Sequence, residues 1–374
     1  MIFYGFMIAA AALPLGTAES EPSAWRVAST GLSSKLSSLR VGPRAIALPD
    51  GSALILGGGL DTLERFDPET NRISRVVKRL NRRRLWPTVT LLVDGRVLIA
   101  GGAKHKGYGD TAEVFDPASG TVSELVQLER IRVEHTATRL DDGRVLLAGG
   151  DASAEIFDPV TLTTAGPFPL LARRRGHTAT SLTDGRILLA GGGRDLQYRS
   201  RSEGYRSAEL FDPATRSATL VDELMRDQRD EHIALPLPND RVLLAGGQRR
   251  TDAKTHNRSD IFDLTTGKFT QGPNLPIDGQ DAQVIRLDDG SGLILGGESD
   301  DGWGGKRDVI LDQIVLFDPA TMRFTTIGRM KIPRDDFAAC RLKDGRILVA
   351  GGLTRGDFPT LSAELLTIHR NEEH

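Results

Sequence analysis

The segment Asp142-Gly143-Arg144-Val145-Leu146-Leu147-Ala148-Gly149-Gly150 decides the fold, because it joins a tight turn, an unbroken apolar run and a glycine pair. Asp-Gly predicts a tight hairpin turn, since glycine adopts a positive φ without steric cost. The apolar run predicts a strand that is buried on both faces. The glycine pair ends that strand at a point where backbones approach closely. The segment therefore predicts a β-hairpin whose second strand lies inside a core.

The same pattern recurs seven times along the chain. The glycine pairs begin 42 to 55 residues apart, so the period is about 50 residues. The seven turn-to-glycine segments are 50–58, 94–102, 142–150, 184–192, 239–247, 289–297 and 344–352. Phe-Asp-Pro, or Phe-Asp-Leu in the fifth repeat, follows six of them, at Phe66, Phe115, Phe157, Phe211, Phe262 and Phe317. A period of this length predicts one repeat architecture rather than several independent domains.

Each repeat divides into four strands, which we name a to d in chain order. Strand a precedes the turn, strand b is the apolar run, and strand c is an Ala-Glu-Ile-Phe segment such as Ala154–Phe157. Asp-Pro then forces a second turn, because proline cannot continue a ladder, and strand d forms the polar outer edge. Four antiparallel strands in about 50 residues are typical of one propeller blade. The sequence therefore predicts an all-β, seven-bladed propeller.

The seventh repeat lacks its last strand. It has a strand c at Ser362–Leu366, but neither Asp-Pro nor a strand d follows. A spare strand at residues 23–28 precedes the first repeat, and we expect it to complete blade seven and remove the open edge of the ring. Trp25 is expected at the strand d position that Ile73, Phe269 and Phe324 hold in other repeats.

The glycine pair, the Glu-x-Phe-Asp-Pro element and the hydrophobic residue of strand d resemble the kelch repeat. The resemblance covers residues 19–374 and implies a kelch-type propeller over that range. Galactose oxidase shares kelch-type blades, but its copper site requires two tyrosines, two histidines and a tyrosine–cysteine crosslink. After residue 18 the chain has Tyr108, Tyr198 and Tyr205 as its tyrosines, and Cys340 lies in an apolar run. The residues therefore argue against that copper chemistry.

Residues 1–18 differ from the rest of the chain. They are apolar and uncharged, and Gly16-Thr17-Ala18 places small residues before a predicted cleavage after Ala18. This pattern predicts a signal peptide and export to the periplasm or the extracellular space. No Lys or Arg precedes the apolar run, so an uncleaved anchor and a misassigned start remain alternatives.

Composition and net charge limit the classes of partner that the chain is expected to bind. Hydrophobic residues make up 39 %, charged residues 26 %, and the formal net charge is −2. This balance fits a globular protein and gives no field that attracts nucleic acid or an anionic membrane. The single cysteine, Cys340, allows neither an intrachain disulfide nor a cysteine-based zinc site. We expect a monomer without a transmembrane span in the mature chain.

An arginine precedes strand a in six repeats. Ten residues before each turn stand Arg40, Arg84, Arg132, Arg174, Arg229 and Arg334, with Gly279 in the sixth repeat. One interpretation is an anion-binding rim; the other is a framework residue that bridges neighbouring blades, which the symmetric repetition favours. Three positions later stand His135, His177 and His232, which we interpret as packing residues because equivalent positions of a ring do not converge. We therefore predict no metal site and no cofactor.

The loops at one end of the ring differ between repeats. Repeats five to seven carry acidic residues before strand a, whereas repeats two to four carry several arginines. The longest b–c loops are 193–206, 248–258 and 298–312. Aromatic and charged residues on such loops are typical of recognition sites. The candidate ligand-binding residues are Arg174, Arg229, Glu231, Asp281, Asp336, Tyr198, Tyr205 and Trp303.

Two functions follow from this reading. The first is an exported recognition module, without catalysis, for a protein, peptide or carbohydrate ligand on the face of these loops. The alternative is a cofactor-free mutarotase or epimerase for an acidic sugar, with Arg229, Glu231 and His232 as the acid–base candidates. The identity of the ligand remains open at this point.

Overall fold

A computed structural model describes residues 25–102, 109–194, 205–249, 251–300 and 309–370. Within these ranges every regular element is a β-strand. A search of the same ranges finds no helix with the length and hydrophobicity to cross a membrane. The predicted signal at residues 1–18 lies outside the described residues and stays a prediction.

The described residues form 37 strands. The first fourteen are β1 (Trp25–Gly31), β2 (Pro43–Ala47), β3 (Ala53–Gly57), β4 (Leu60–Asp67), β5 (Arg72–Arg84), β6 (Thr88–Leu91), β7 (Val97–Ala100), β8 (Thr111–Asp116), β9 (Thr121–Val122), β10 (Val126–Gln127), β11 (Thr136–Arg139), β12 (Val145–Ala148), β13 (Ser153–Asp158) and β14 (Thr163–Pro169). The next twelve are β15 (Arg173–Arg174), β16 (Thr178–Ser181), β17 (Ile187–Ala190), β18 (Gly193–Arg194), β19 (Ala208–Asp212), β20 (Ser217–Leu220), β21 (Ile233–Leu237), β22 (Arg241–Ala245), β23 (Gln248–Arg249), β24 (Lys254–Thr255), β25 (Ser259–Asp263) and β26 (Lys268–Gln271). The remaining eleven are β27 (Gln283–Arg286), β28 (Gly292–Leu295), β29 (Glu298–Ser299), β30 (Val309–Ile310), β31 (Gln313–Asp318), β32 (Arg323–Arg329), β33 (Ala338–Arg341), β34 (Ile347–Ala350), β35 (Leu353–Thr354), β36 (Phe358–Pro359) and β37 (Ala363–Arg370).

Seven antiparallel sheets form the blades, which confirms the predicted propeller. In strand order a to d they are β2-β3-β4-β5, β6-β7-β8 with β9 and β10, β11-β12-β13-β14, β16-β17-β19-β20, β21-β22-β25-β26, β27-β28-β31-β32 and β33-β34-β37-β1. Four two-stranded sheets lie outside the blades, namely β15-β18, β23-β24, β29-β30 and β35-β36. They belong to the crossover segments, which join strand d of one blade to strand a of the next, and to the b–c loops.

The ring closes as the sequence predicts, but in a different register. β1 pairs antiparallel with β37 from Trp25↔Arg370 to Gly31↔Glu364. In other blades the hydrophobic residue of strand d lies opposite the strand c phenylalanine, as in Phe66↔Ile73. In blade seven the equivalent pair is Leu366↔Ser29. The expectation for Trp25 was wrong, because strand c has no Asp-Pro stop and runs on to Arg370, whose guanidinium lies 5.4 Å from the Trp25 ring.

The core lies between neighbouring blades. All four residues of β12 are buried, as expected for an apolar run with a sheet on each side. One cluster joins Leu54 and Leu56 of blade one to Val97 and Ile99 of blade two. Equivalent clusters join the other blades. Each strand b therefore contributes to two interfaces, which explains the absence of polar alternation in the seven runs.

The glycine pair brings each blade against the crossover segment of the next. The Gly102 N–H donates to the carbonyl of Arg132 at 2.9 Å. Gly101 has a φ of 59°, and a Cβ there would lie 2.5 Å from the Arg132 carbonyl oxygen. A larger residue would therefore clash and also strain the backbone. The tight approach fixes the distance between blade two and the crossover segment that enters blade three.

Six buried arginines hold the crossover segments. Each is 0 % exposed, and Arg132 donates to Glu155 (Nε to Oε1, 2.7 Å) and to the carbonyls of Gly149 and Ser153 (Nη1, 2.7 Å each). The partner acids are Glu64, Glu113, Glu155, Glu209, Asp260 and Glu364. The arginine side chain thus binds the blade that it introduces, while its carbonyl accepts the glycine N–H of the preceding blade. The framework interpretation accounts for both sets of bonds.

Removing β1 tests the closure. Deleting residues 25–31, with the preceding residues also absent, leaves β37 as an open edge and exposes the hydrophobic cluster beneath Val27. We expect the deletion variant to aggregate, or to melt at a temperature about 10 °C or more below that of the control. A chain that begins at Ser23 is the control. Size-exclusion chromatography and thermal melting provide the measurement, and a monomeric deletion variant with unchanged melting would contradict the closure.

Blade six supplies a test of the buried arginine–carboxylate pair. It has Gly279 in place of the arginine and Val315 in place of the acid, so both partners are missing together. Arg132→Leu should cost about 3–5 kcal/mol, because it leaves the Glu155 carboxylate buried without its cation. The double variant Arg132→Leu/Glu155→Val should be more stable than that single variant. Chemical denaturation measures both, and a double variant no better than the single one would contradict this explanation.

Candidate functional site

Seven residues at one mouth of the central channel share a left-handed backbone. Each lies two positions after the crossover arginine, or after Gly279, and has a φ of 48° to 63°. They are Gly42, Trp86, Glu134, Gly176, Glu231, Asp281 and Asp336. A non-glycine residue in this region costs about 1–3 kcal/mol, and such strain is concentrated at functional sites. The conformation turns these five larger side chains to a common location.

These side chains line a pocket of about 330 Å³. Its wall comprises Arg44, Trp86, Thr88, Glu134, His135, Gly176, His177, Glu231, His232, Asp281, Ala282, Gln283 and Asp336. We call it the mouth pocket. It shares His177, His232 and Ala282 with a wider channel cavity of about 1100 Å³ that strand a residues line. Three residues of the candidate ligand set, Glu231, Asp281 and Asp336, meet here, on the side of the crossover segments.

Like charges accumulate on one side of the mouth pocket. Burial, together with the charges of Glu231 and Asp335, raises the pKa of Asp281 well above its ordinary value. Burial and the neighbouring charge of Asp336 raise the pKa of Asp335 to about 8. Glu298 adds to both effects. The chain therefore gathers five carboxyl groups where solvation is poor, an arrangement typical of functional sites.

A cation and an aromatic ring lie beside the acidic residues of the mouth pocket. The Trp86 indole Nε1–H donates to Asp336 Oδ1 at 2.8 Å. Arg44 is half-buried, and burial lowers the pKa of its guanidinium while Asp336 and Asp281 partly offset that effect. Among the described residues its side chain donates one hydrogen bond, from Nη1 to the Pro43 carbonyl at 3.2 Å. The remaining N–H donors of Arg44 are available to a bound molecule.

Three carboxyl groups come close enough to share an ion. Ligand oxygens of Asp281, Glu298 and Asp335 all lie within 4.8 Å of one another. Asp335 is 5 % exposed, and its Oδ1 has no hydrogen-bond partner in the described part of the chain. Gln280 donates from Nε2 to Glu298 Oε1 at 2.6 Å and so orients that carboxylate. These residues could hold a metal ion, a role that the sequence analysis did not predict.

The channel histidines bridge blades. His135 Nε2 lies 2.9 Å from the Thr88 hydroxyl, and His177 Nε2 lies 3.1 Å from the Thr136 hydroxyl. Burial, with a contribution from Arg174, lowers the pKa of His177 to about 3. His232 repeats the contact with Thr178 at 3.0 Å. The structure therefore places all three as neutral packing residues between blades.

The other candidate ligand residues lie apart from the mouth pocket. Arg174 and Arg229 are 0 % exposed and belong to the buried arginine set. Their guanidinium groups bind Glu209 and Asp260 and do not reach a ligand. Tyr205 is 5 % exposed, so its side chain does not offer a recognition surface. Tyr198 and Trp303 lie outside the described residues.

Sequence reasoning missed Arg44, Trp86, Glu298 and Asp335. The repeat alignment carried a signal for the first two, because Trp86 is the aromatic member of the left-handed positions. Arg44 occupies the place of Thr88, Thr136 and Thr178 in later blades. Asp335 belongs to the acidic residues before strand a of repeat seven, but nothing in the sequence placed it beside Glu298. The pairing of crossover segments with b–c loops does so: Gln280 bridges Glu298, and Asp335 bridges Leu353.

Comparison with known proteins shows the fold and not a family. No family model matches this chain, and no curated protein matches it in sequence. Among solved structures it is similar to a novel fungal alcohol oxidase with catalytic diversity among the AA5 family, in complex with copper. The identity is 17 % over 92 % of this chain and 76 % of that one, with a TM-score of 0.71.

This finding corrects the predicted function. We expected a recognition module without catalysis, with a sugar mutarotase or epimerase as the alternative. A solved structure that shares the fold is an oxidase, so the scaffold gives no reason to exclude catalysis. The mouth pocket adds strained residues and coupled carboxyl groups, which simple recognition does not require. The prediction of a module without catalysis is therefore not kept.

Copper held by two tyrosines and two histidines does not fit the residues of this site. The three channel histidines engage threonine hydroxyls through Nε2. Tyr205 is the one tyrosine within the described ranges, and it is buried. Burial raises the pKa of Cys340 to about 12, so that thiol is a core group. We derive no copper chemistry for this chain.

The raised carboxyl pKa values predict a pH dependence of stability. The folded pKa of Asp335, about 8, lies above its ordinary value of 3.8, so the folded chain binds more protons than the unfolded chain between these values. The stabilisation of the folded state by the proton on Asp335 is present at low pH and is lost as pH rises towards 8. In a chelator, Asp335→Asn should therefore gain several degrees of melting temperature over the native chain between pH 5 and pH 8.

Asp142→Asn is the control for this pH series. A hydrogen bond from Arg144 lowers the pKa of Asp142, so its contribution is already constant above pH 5. Its melting temperature should run parallel to that of the native chain over the same range. Parallel curves for Asp335→Asn would contradict the raised pKa.

Proposed function

We propose that this chain is a hydrolase whose active site is the mouth pocket and whose substrate is a small hydroxylated ester or lactone. The observation that carries the proposal is the pairing in the pocket of an oriented carboxylate, Asp336, and a guanidinium with unused donors, Arg44. Hydrolysis of a carbonyl compound requires a base for water and donors for the developing oxyanion. The two side chains meet both requirements.

Asp336 is the candidate general base. Its backbone is fixed at a φ of 48°, and the Trp86 N–H holds one carboxylate oxygen at 2.8 Å. The indole donor therefore orients the carboxylate in the pocket. Asp336 can accept a proton from a water molecule as that water attacks the substrate carbonyl, and it returns the proton to the alkoxide oxygen as the ester C–O bond breaks.

Arg44 is the candidate oxyanion donor. A guanidinium presents five N–H donors. Among the described residues, the Arg44 guanidinium donates a single hydrogen bond to the protein. Because the group is half-buried, its interaction with a developing charge is screened less than at the surface. Its flexible stem starts in β2, a strand of the rigid blade framework, which keeps the head group at the pocket.

The pocket limits the substrate. A volume of about 330 Å³ is near the lower end of the range for small-molecule sites. Glu134 and Glu231 line the wall, and carboxylates accept hydrogen bonds from hydroxyl groups. The Trp86 ring offers an apolar surface to the carbon face of the same molecule. A compact polyhydroxy compound satisfies these three features together.

Two finer assignments belong to this proposal. The glycine pairs, the Glu-x-Phe-Asp-Pro element and the buried arginine–carboxylate pairs support repeats of kelch type. The apolar residues 1–18 support export, so we propose that the enzyme acts in the periplasm or outside the cell.

A substrate panel tests the function. The native chain should hydrolyse at least one member of a panel of aldonolactones and hydroxylated esters, followed by pH-stat titration. Asp336→Asn should lower kcat/KM by about 10²–10⁴-fold, since it removes the base. Arg44→Met should lower it by about 10²–10³-fold, mainly in kcat, since it removes an oxyanion donor.

Arg144→Gln is the control, because Arg144 lies with Asp142 at an a–b turn, on the face away from the mouth pocket. It should leave kcat/KM within about twofold of the native value, since surface changes away from the site do little. No turnover of any panel member, or full activity in Asp336→Asn, would reject the hydrolase.

A further inference from the structure

The carboxyl groups of Asp281, Glu298 and Asp335 form a constellation beside the mouth pocket that the proposed hydrolysis does not use. Asp281 contributes to the pocket wall, while Asp335 lies behind it and is 5 % exposed. One ligand oxygen from each lies within 4.8 Å of the other two. Three carboxylates at such distances repel one another strongly unless a cation lies between them.

A second observation points to the same ligand. Asp335 Oδ1 is buried and has no hydrogen-bond partner among the described residues. A buried polar atom without a partner costs about 1–3 kcal/mol, and more when it is charged. Native structures keep such atoms where a ligand, an ion or a water completes the bond. The orphaned oxygen therefore indicates an ion that belongs between the three side chains.

The backbone holds the three residues in place without a ligand. The Gln280 N–H donates to the Glu298 carbonyl at 2.9 Å, and Asp335 exchanges two bonds with Leu353 at 2.7 and 3.0 Å. The Asp281 N–H donates to the Glu231 carbonyl at 3.0 Å. Gln280 Nε2 also fixes the Glu298 carboxylate at 2.6 Å. A preorganised oxygen set of this kind is what a metal site requires.

We propose that Asp281, Glu298 and Asp335 bind one Ca²⁺. Three carboxylates without nitrogen or sulfur donors select a hard cation. Calcium accepts six to eight oxygens in a flexible geometry, whereas Mg²⁺ demands a near-ideal octahedron, keeps several waters and usually takes only one or two carboxylates, so a set of three favours Ca²⁺. The three oxygens all lie within 4.8 Å of one another, close enough to share one such ion. Water molecules and the open side at Asp281 complete the coordination.

The ion adds to the proposed function but does not depend on it. Asp281 lies both in the ion site and in the pocket wall, near Asp336 of the adjacent blade. A bound Ca²⁺ would neutralise part of the negative charge there and offer a ligand position to a substrate hydroxyl. The site would bind calcium in the absence of any substrate.

Calcium titration of the full chain tests the site. The protein, purified in chelator and exchanged into metal-free buffer, should bind Ca²⁺ one to one by isothermal titration calorimetry. At about one hundred times the dissociation constant, the melting temperature should rise by about 4 °C. Asp335→Asn should remain folded and show neither the heat nor the calcium-dependent shift, because it removes the negative charge and replaces one carboxylate oxygen with an amide NH₂.

Asp230→Asn is the matched control. Asp230 occupies in blade five the position that Asp335 holds in blade seven, is 1 % exposed and lies outside the constellation. Because each variant is compared with itself with and without calcium, a change in basal stability does not affect the result. Asp230→Asn should keep the shift of the native chain.

Several outcomes would overturn the proposal. They are no heat and no shift with CaCl₂ for the native chain, an equal shift for Asp335→Asn, and a shift with MgCl₂ as large as that with CaCl₂. The failure of this site and the failure of the hydrolase are distinguishable. Hydrolysis without calcium binding would reject the calcium site and leave the hydrolase proposal standing. Calcium binding without hydrolysis would reject the hydrolase and leave the calcium site standing.

Discussion

The buried arginine–carboxylate pair found in six of the seven crossover segments is the interaction on which the rest of the structure depends. The guanidinium of Arg132 and the carboxylate of Glu155 are both fully buried, and neither could stay there charged without the other. The same arginine carbonyl receives a glycine N–H from the preceding blade. One residue thus fixes the segment to its own blade and the neighbouring blade to that segment. Blade six, without the pair, keeps only the glycine-to-carbonyl bond, from Gly247 to Gly279.

The interactions of this rigid frame offset the backbone strain of the left-handed residues at the mouth of the channel. Two residues after each arginine the backbone is left-handed, and in five blades the residue there is not glycine. The frame imposes the conformation whatever the side chain, so the position is free to carry chemistry. Two blades use glycine, one uses tryptophan and four use acidic residues. The backbone conformation at this position repeats around the ring, whereas the side chain differs between blades and gives the site its chemistry.

The carboxyl groups on the acidic side of the mouth pocket repel one another and are poorly solvated. Burial and mutual repulsion raise the pKa values of Asp281 and Asp335, while the indole N–H of Trp86 donates to Asp336 and Arg44 lies near the same acids. Protonation or a bound cation can relieve the conflict, and the two have opposite dependence on pH. The position of Asp281 between the carboxyl constellation and the pocket couples any bound ion to any bound substrate.

The sequence by itself determined the number of blades, the position of each strand b and the closure of the ring by the first strand. These follow from local rules: glycine at positive φ, apolar runs buried on both faces, and a strand without a partner. It also located Glu231, Asp281 and Asp336 at one mouth, because repeat positions map onto a ring. Only the tertiary structure decided the register that places Ser29, and not Trp25, opposite Leu366. It also separated the buried framework arginines Arg174 and Arg229 from the pocket, and brought Asp335 and Glu298 together. Those outcomes depend on pairing between segments far apart in the chain, which no local pattern encodes.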